Sequence, residues 1–231
     1  MLINWVAALS GLNGKGWHWT LDGKFKMNTV ALAYDVPWLY GQVPIPGLLE
    51  NGIDCGYLTI LHDHVFDRKA VPTFCMECYK VGVEPQSLEQ VHKIADWQQS
   101  ECTEKGWPCK VGAEARPYSR KLWGAHFYCR GLDEAKERYK EVRAWIDENL
   151  GKDVKVFIKR GCTEFEQHVG PSDKWKKVYN QDEIEAEARE VIVYTPPKSG
   201  GQPEVLQHHI YDVWDMVDAN SKFPVTYHEE G

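Results

Sequence analysis

The chain has 231 residues, 43% apolar and 26% charged, proportions that exclude a disordered or collagen-like chain. Ten Trp, eleven Tyr and seven Phe supply the volume of a real core, and no window approaches the roughly 20 uninterrupted apolar residues of a membrane span, so no membrane association is expected. The formal charge of −7 is uneven: residues 181–231 hold eleven acids against three bases, net −8, which leaves residues 1–180 at +1. The pI therefore decides nothing about nucleic acid.

Residues 1–72 read as a β-rich, irregular extension. MLINWVAALSGL lacks a basic n-region, so secretion is not expected; the expectation is a cytoplasmic location or a place within a viral assembly. GLNGKG at 11–16 reads as a turn. Trp17–Thr20 and Lys24–Met27 flank Leu21-Asp22-Gly23, a hairpin signal because Asp-Gly tolerates positive φ. The prolines and glycines from Pro37 to Pro72 indicate loops or edge strands, and GYLTILH (Gly56–His62) reads as a buried strand.

Residues 73–169 are more regular. Tyr79–Glu84 alternates apolar with polar, and Ser87 caps a helix from Leu88 to about Ser100 with Leu88, Val91, Ile94 and Ala95 at helical spacing. Cys109–Arg116 and Leu122–Cys129 are further strands, Leu132–Leu150 is a strong helix stopped by Gly151, and Val154–Lys159 is a fourth strand. The order β-α-β-β-α-β is that of the ferredoxin-like plait, an α+β fold with antiparallel sheet order 4-1-3-2 and two helices on one face. Many unrelated activities use that fold, so function has to come from a site.

Residues 170–231 form an acidic extension. Asp182–Glu190 reads as a short helix and Val191–Tyr194 as a β-like run; 196–203 is a Pro/Gly-rich linker, and 204–220 an amphipathic helix. Its stripe of Leu206, Ile210, Val213, Trp214 and Val217 is expected to dock back on the body, or onto a protein partner or second copy of the chain.

Seven cysteines are too few for a disulfide scaffold and too many to be incidental. In the plait, Cys75, Cys78, Cys102, Cys109, Cys129 and Cys162 converge on one rim of the sheet. Cys75, Cys78, Cys129 and Cys162 can then close a tetrahedral zinc site with Zn–S near about 2.3 Å, or hold an iron–sulfur cluster. Cys102, Cys109, His62 and His64 are substitute ligands, since a His-x-His on a strand shares one face. The competing readings are disulfides (Cys102–Cys109, Cys75–Cys162 or Cys78–Cys129) and unlinked thiols packed at an edge.

Alternation also defines the other face. With Tyr79, Val81, Val83, Val111, Ala113, Val156 and Ile158 toward the helices, Lys80, Lys110, Arg116, His126, Tyr128, Lys155, Phe157 and Lys159 turn away. An open sheet with aromatics and bases follows the logic of RNA-recognition-motif sheets, but the central strand offers Lys80, Gly82 and Glu84 and no aromatic. No phosphate loop, nucleophile elbow or H-E-x-x-H occurs. The expected function is therefore non-catalytic: a zinc-binding, cysteine-ligated assembly or accessory protein of viral or phage type. The alternatives are an iron–sulfur or thiol redox protein, a single-stranded nucleic-acid-binding module, and a disulfide-stapled structural protein.

Overall fold

The structure is a computed structural model that describes residues 3–13, 17–27, 38–41, 55–114, 119, 121–193, 202 and 204–221. The chain is mixed α+β, with two sheets and eight α-helices among the described residues. The N-terminal part supplies α1 (Trp5–Leu9), β1 (Trp17–Trp19), β2 (Phe25–Met27), β3 (Trp38–Tyr40), α2 (Cys55–Ile60), extended by a π turn at Leu61–Val65, and α3 (Thr73–Met76). Next come β4 (Cys78–Glu84), α4 (Leu88–Trp97), extended by a π turn at Gln98–Cys102, β5 (Cys109–Ala113), β6 (Trp123–Arg130), α5 (Gly131–Asn149) and β7 (Lys155–Arg160). The chain goes on through α6 (Thr163–Val169), α7 (Gln181–Val191), β8 (Ile192–Val193) and α8 (Glu204–Ser221).

The larger sheet has five strands rather than four, in the order β3-β5-β6-β4-β7 with every neighbouring pair antiparallel. The addition is β3, which pairs Trp38 with Gly112 and Tyr40 with Lys110 at the outer edge. Side chains meet its backbone: Gln202 accepts from the Tyr40 N–H and donates to the Trp38 carbonyl, and Gln99 donates to the Tyr40 carbonyl. Local signals explain the helices flanking the sheet. Ser87 accepts from the Gln90 N–H while the Gln90 side chain accepts from the Gln86 N–H, a reciprocal cap that starts α4. α5 ends at Gly151, whose φ of 110° lets its N–H return to the Ile146 carbonyl. The 17–27 hairpin forms as β1 and β2 around Gly23, and β8 joins it parallel to β2.

Two hydrophobic cores result, and each draws on distant parts of the chain. In the first, Val81, Val83, Val111, Ala125 and Phe127 from the sheet meet Val91, Ile94, Val142 and Ile146 from α4 and α5. Ile210 and Trp214 of α8 belong to this core, with Leu206, Tyr211 and Val217 packed against it. The stripe of α8 thus packs on the body of its own chain. The second core joins Leu9, Trp17, Phe25, Tyr57, Leu58, Leu61 and Met76 to Phe165, Trp175, Ala188 and Ile192. The N-terminal extension and the segment after β7 therefore fold together.

GYLTILH is helical, not a strand. Its buried Tyr57, Leu58, Ile60 and Leu61 fall at i, i+1, i+3 and i+4, one face of a helix, although the composition is that of a strand. His62 and His64 consequently point to different sides of a π turn and cannot act as a strand His-x-His pair. Arg116 and most of the 196–203 linker lie outside the described residues. Among the described residues no helix is long and apolar enough to cross a membrane.

Candidate thiol site and free sheet face

The rim is where the two cores meet. β4 begins at Cys78 directly after α3, and β7 runs out through Gly161 to Cys162 at the start of α6. Gly161 N–H donates to the Cys78 carbonyl, and Cys78 stands opposite Arg130, one step from the Tyr79–Cys129 pair.

Strand alternation then sorts the thiols by face. Cys129 pairs with Tyr79, so it shares the helix side with Phe127 and Val81 and lies in the first core. Cys78 goes with Lys80 to the opposite side. Cys75 belongs to the second core, with Cys162 packed against it. Of the expected set, Cys129 lies in the first core and Cys75, with Cys162 against it, in the second, while Cys78 takes the opposite face from Cys129 but stays within its electrostatic reach. None of the seven cysteines is in a disulfide.

On the helix side, Cys102, Cys109 and Cys129 lie near the buried Arg138, whose guanidinium stacks 4.0 Å from the centre of the Trp107 ring. Burial dominates their ionisation, pushing Cys109 to about 12 and Cys129 to about 11 and raising Cys102, against a smaller downward pull from Arg138 in each case.

The remaining thiols are Cys55, Cys75, Cys78 and Cys162. Burial lifts the Cys75 thiol well above its ordinary value, and Cys162, Cys55 and Cys78 lift it further. Cys78 is pushed to about 12 by burial and then by Cys162, with Lys80 pulling down and Cys129 adding a last, smaller push. The Tyr128 hydroxyl is raised by burial and then by Cys55, Tyr40, Cys162 and Cys78. Cys55, the first residue of α2, is exposed. It is the member that sequence reasoning missed, because a helix and a loop with no spacing signature separate it from Cys75. Among the described residues, no three His, Cys, Asp or Glu side chains stand close enough to hold a metal ion as they are arranged.

His62 keeps other company. It is 2% exposed; its Nδ1 lies 2.8 Å from the Ala70 carbonyl, and its ring packs 4.6 Å from Phe165 and 5.6 Å from His168, centre to centre. Burial lowers its pKa, and the nearby charges acting on it are those of Asp63, His168 and Arg68.

The face turned from the helices carries a cross-strand row of Tyr40, Lys110, His126, Gly82 and Phe157. Gly82 has a specific role there. A Cβ on it would lie 2.5 Å from Phe157 Cζ, so the Phe157 ring lies across the central strand, where the sequence offers no aromatic. From the other edge, the Trp38 ring approaches Gly124 and stands 5.5 Å from His126, with Lys110 Nζ 4.0 Å from its centre. Trp38 is only 4% exposed, so the accessible part of this floor is the end holding Phe157, with Lys155 Nζ 5.0 Å from its centre. Compared with known proteins, the chain matches no family profile, no curated sequence and no solved structure.

Proposed function

We propose that the protein is a non-catalytic accessory protein whose two cores are joined by a structural zinc on the thiolates of Cys55, Cys75, Cys78 and Cys162. The observation that carries this reading is that Cys162, Cys55 and Cys78 all act on the Cys75 thiol and Cys162 acts on Cys78, with Cys75 in the second core and Cys162 packed against it. Soft thiolates in such a group select zinc or iron. The neutral thiols would surrender their protons to the ion, and the site would close around it as it binds, which makes occupancy fall at low pH. An iron–sulfur cluster is the competing occupant and would colour the protein brown. The fold reading is a ferredoxin-like plait: the strand order β7-β4-β6-β5, with α4 between β4 and β5 and α5 between β6 and β7, supports it, β3 being an addition.

Elemental analysis of protein purified without added metal, with a thiol count in denaturant, tests the site. Bound zinc with no disulfides is expected; absence of zinc and iron with every thiol titratable refutes it.

A second reading, single-stranded nucleic-acid binding on the free face, is favoured by the Phe157 ring lying over Gly82. Phe157→Ala should then weaken binding of an oligonucleotide by about 1–3 kcal/mol. Absence of salt-dependent binding to any oligonucleotide disposes of it.

A further inference from the structure

His62 holds a buried nitrogen lone pair that the fold does not use. The residue is 2% exposed, and its Nδ1 lies 2.8 Å from the Ala70 carbonyl. A carbonyl oxygen only accepts, so Nδ1 carries the proton and Nε2 presents a lone pair. That Nε2 is buried, and among the described residues no hydrogen bond reaches it. Leaving such an atom unmatched is costly, and it calls for a partner.

The neighbouring side chains do not donate to it. Phe165 meets the His62 ring edge to face at 4.6 Å, and Asp63 is engaged by Arg68 at 2.9 Å. His64 lies elsewhere, where a Cβ on Gly11 would be 3.7 Å from its Cε1. What does stand beside His62 is a second imidazole. The His168 ring is 5.6 Å away, centre to centre, with the planes 38° apart. Metal–nitrogen bonds of about 2.0–2.1 Å at the tetrahedral angle put two ligating rings about 5 Å apart, so this spacing fits one shared ion. His168 is exposed and sits in the last turn of α6, where the helix carbonyls favour positive charge.

The Ala70 bond has a second meaning in this light. A metal-ligating histidine donates its other ring N–H to a carbonyl or carboxylate, which fixes the tautomer and aims the ring. Burial also lowers the His62 pKa, which favours the neutral ring, the form that ligates.

We propose that His62 and His168 form a site for a divalent first-row transition metal, bound through the two imidazoles with water in the remaining positions. Copper, nickel and zinc suit such ligands. Among the described residues no group of three His, Cys, Asp or Glu could hold an ion, so the site has two protein ligands and its ion exchanges with solvent. It does not depend on the thiolate zinc reading.

Calorimetric titration with nickel(II), with the near-ultraviolet spectrum followed in parallel, tests it. Thiolate ligation gives a sulfur-to-metal charge-transfer band that imidazole ligation lacks. The proteins are wild type, His168→Gln, His62→Phe and Cys78→Ser, with the exposed His209→Gln as a surface control and circular dichroism to establish that each is folded. Wild type and Cys78→Ser both bind nickel in a step that raises no such band. His168→Gln, which touches no core, and His62→Phe each weaken that step at least about tenfold, and His209→Gln leaves it unchanged. Absence of a band-free step in wild type, or its persistence at full affinity in folded His168→Gln, overturns the proposal. Nickel binding that always brings the band and vanishes in Cys78→Ser also overturns it, by assigning the ion to the thiolates. A band-free step in protein purified without zinc or iron leaves it standing while the thiolate reading falls.

Discussion

Gly161 shows how tightly the rim is built. Its φ is 61°, and a methyl group placed on it would lie 2.4 Å from the Trp175 ring and 3.5 Å from the Cys75 carbonyl. Gly161→Ala should therefore lower stability by about 2–4 kcal/mol in denaturant unfolding, through left-handed backbone strain and overpacking together. His62 ties stability to pH. Its pKa is lowered by burial, so the folded chain holds it neutral while the unfolded chain takes up a proton near its ordinary value. Its contribution is complete above about pH 6.5 and drains away as pH falls through the lower folded value. Unfolding free energy measured across that window should fall less steeply for His62→Phe than for wild type. The thiols separate by access: a thiol reagent should modify the exposed Cys55 first in the metal-free native protein. The buried Cys75, Cys102, Cys109 and Cys129 should react only as the chain opens.

α8 illustrates what a periodic stripe can and cannot say. Spacing alone marks Ile210 and Trp214 as a buried face, and both are buried, yet periodicity carries no information about what covers them. The cover is the side of the first core formed by β3, β5 and α4. Trp214→Ala should cost about 3–5 kcal/mol in thermal or chemical unfolding. An unchanged melt would mean that the helix is not docked in solution. β3 was illegible because three residues have no period to read, and their place comes from pairing with β5. α2 was misread because its Tyr, Ile and Leu residues have the composition of a strand, and only tertiary burial of one helical face decided the matter.

At the scale of the whole molecule, topology and alternation pull the cysteines in different directions. Strand order gathers residues distant in sequence at one rim, and that much followed from the β-α-β-β-α-β pattern. The face each thiol takes follows from the period of two. The alternation that turns Tyr128 to the free side turns Cys129 to the helices, so this separation was already legible, while the approach of Cys55 from α2 was not. The account stands on a division of thiols between the two sides of one sheet. The most direct test is the zinc content of wild type, Cys78→Ser and Cys129→Ser purified side by side. About one zinc ion per chain in wild type and in Cys129→Ser, with loss of the ion in Cys78→Ser, is the predicted result. Equal loss of zinc in both variants, or none in wild type, would contradict it.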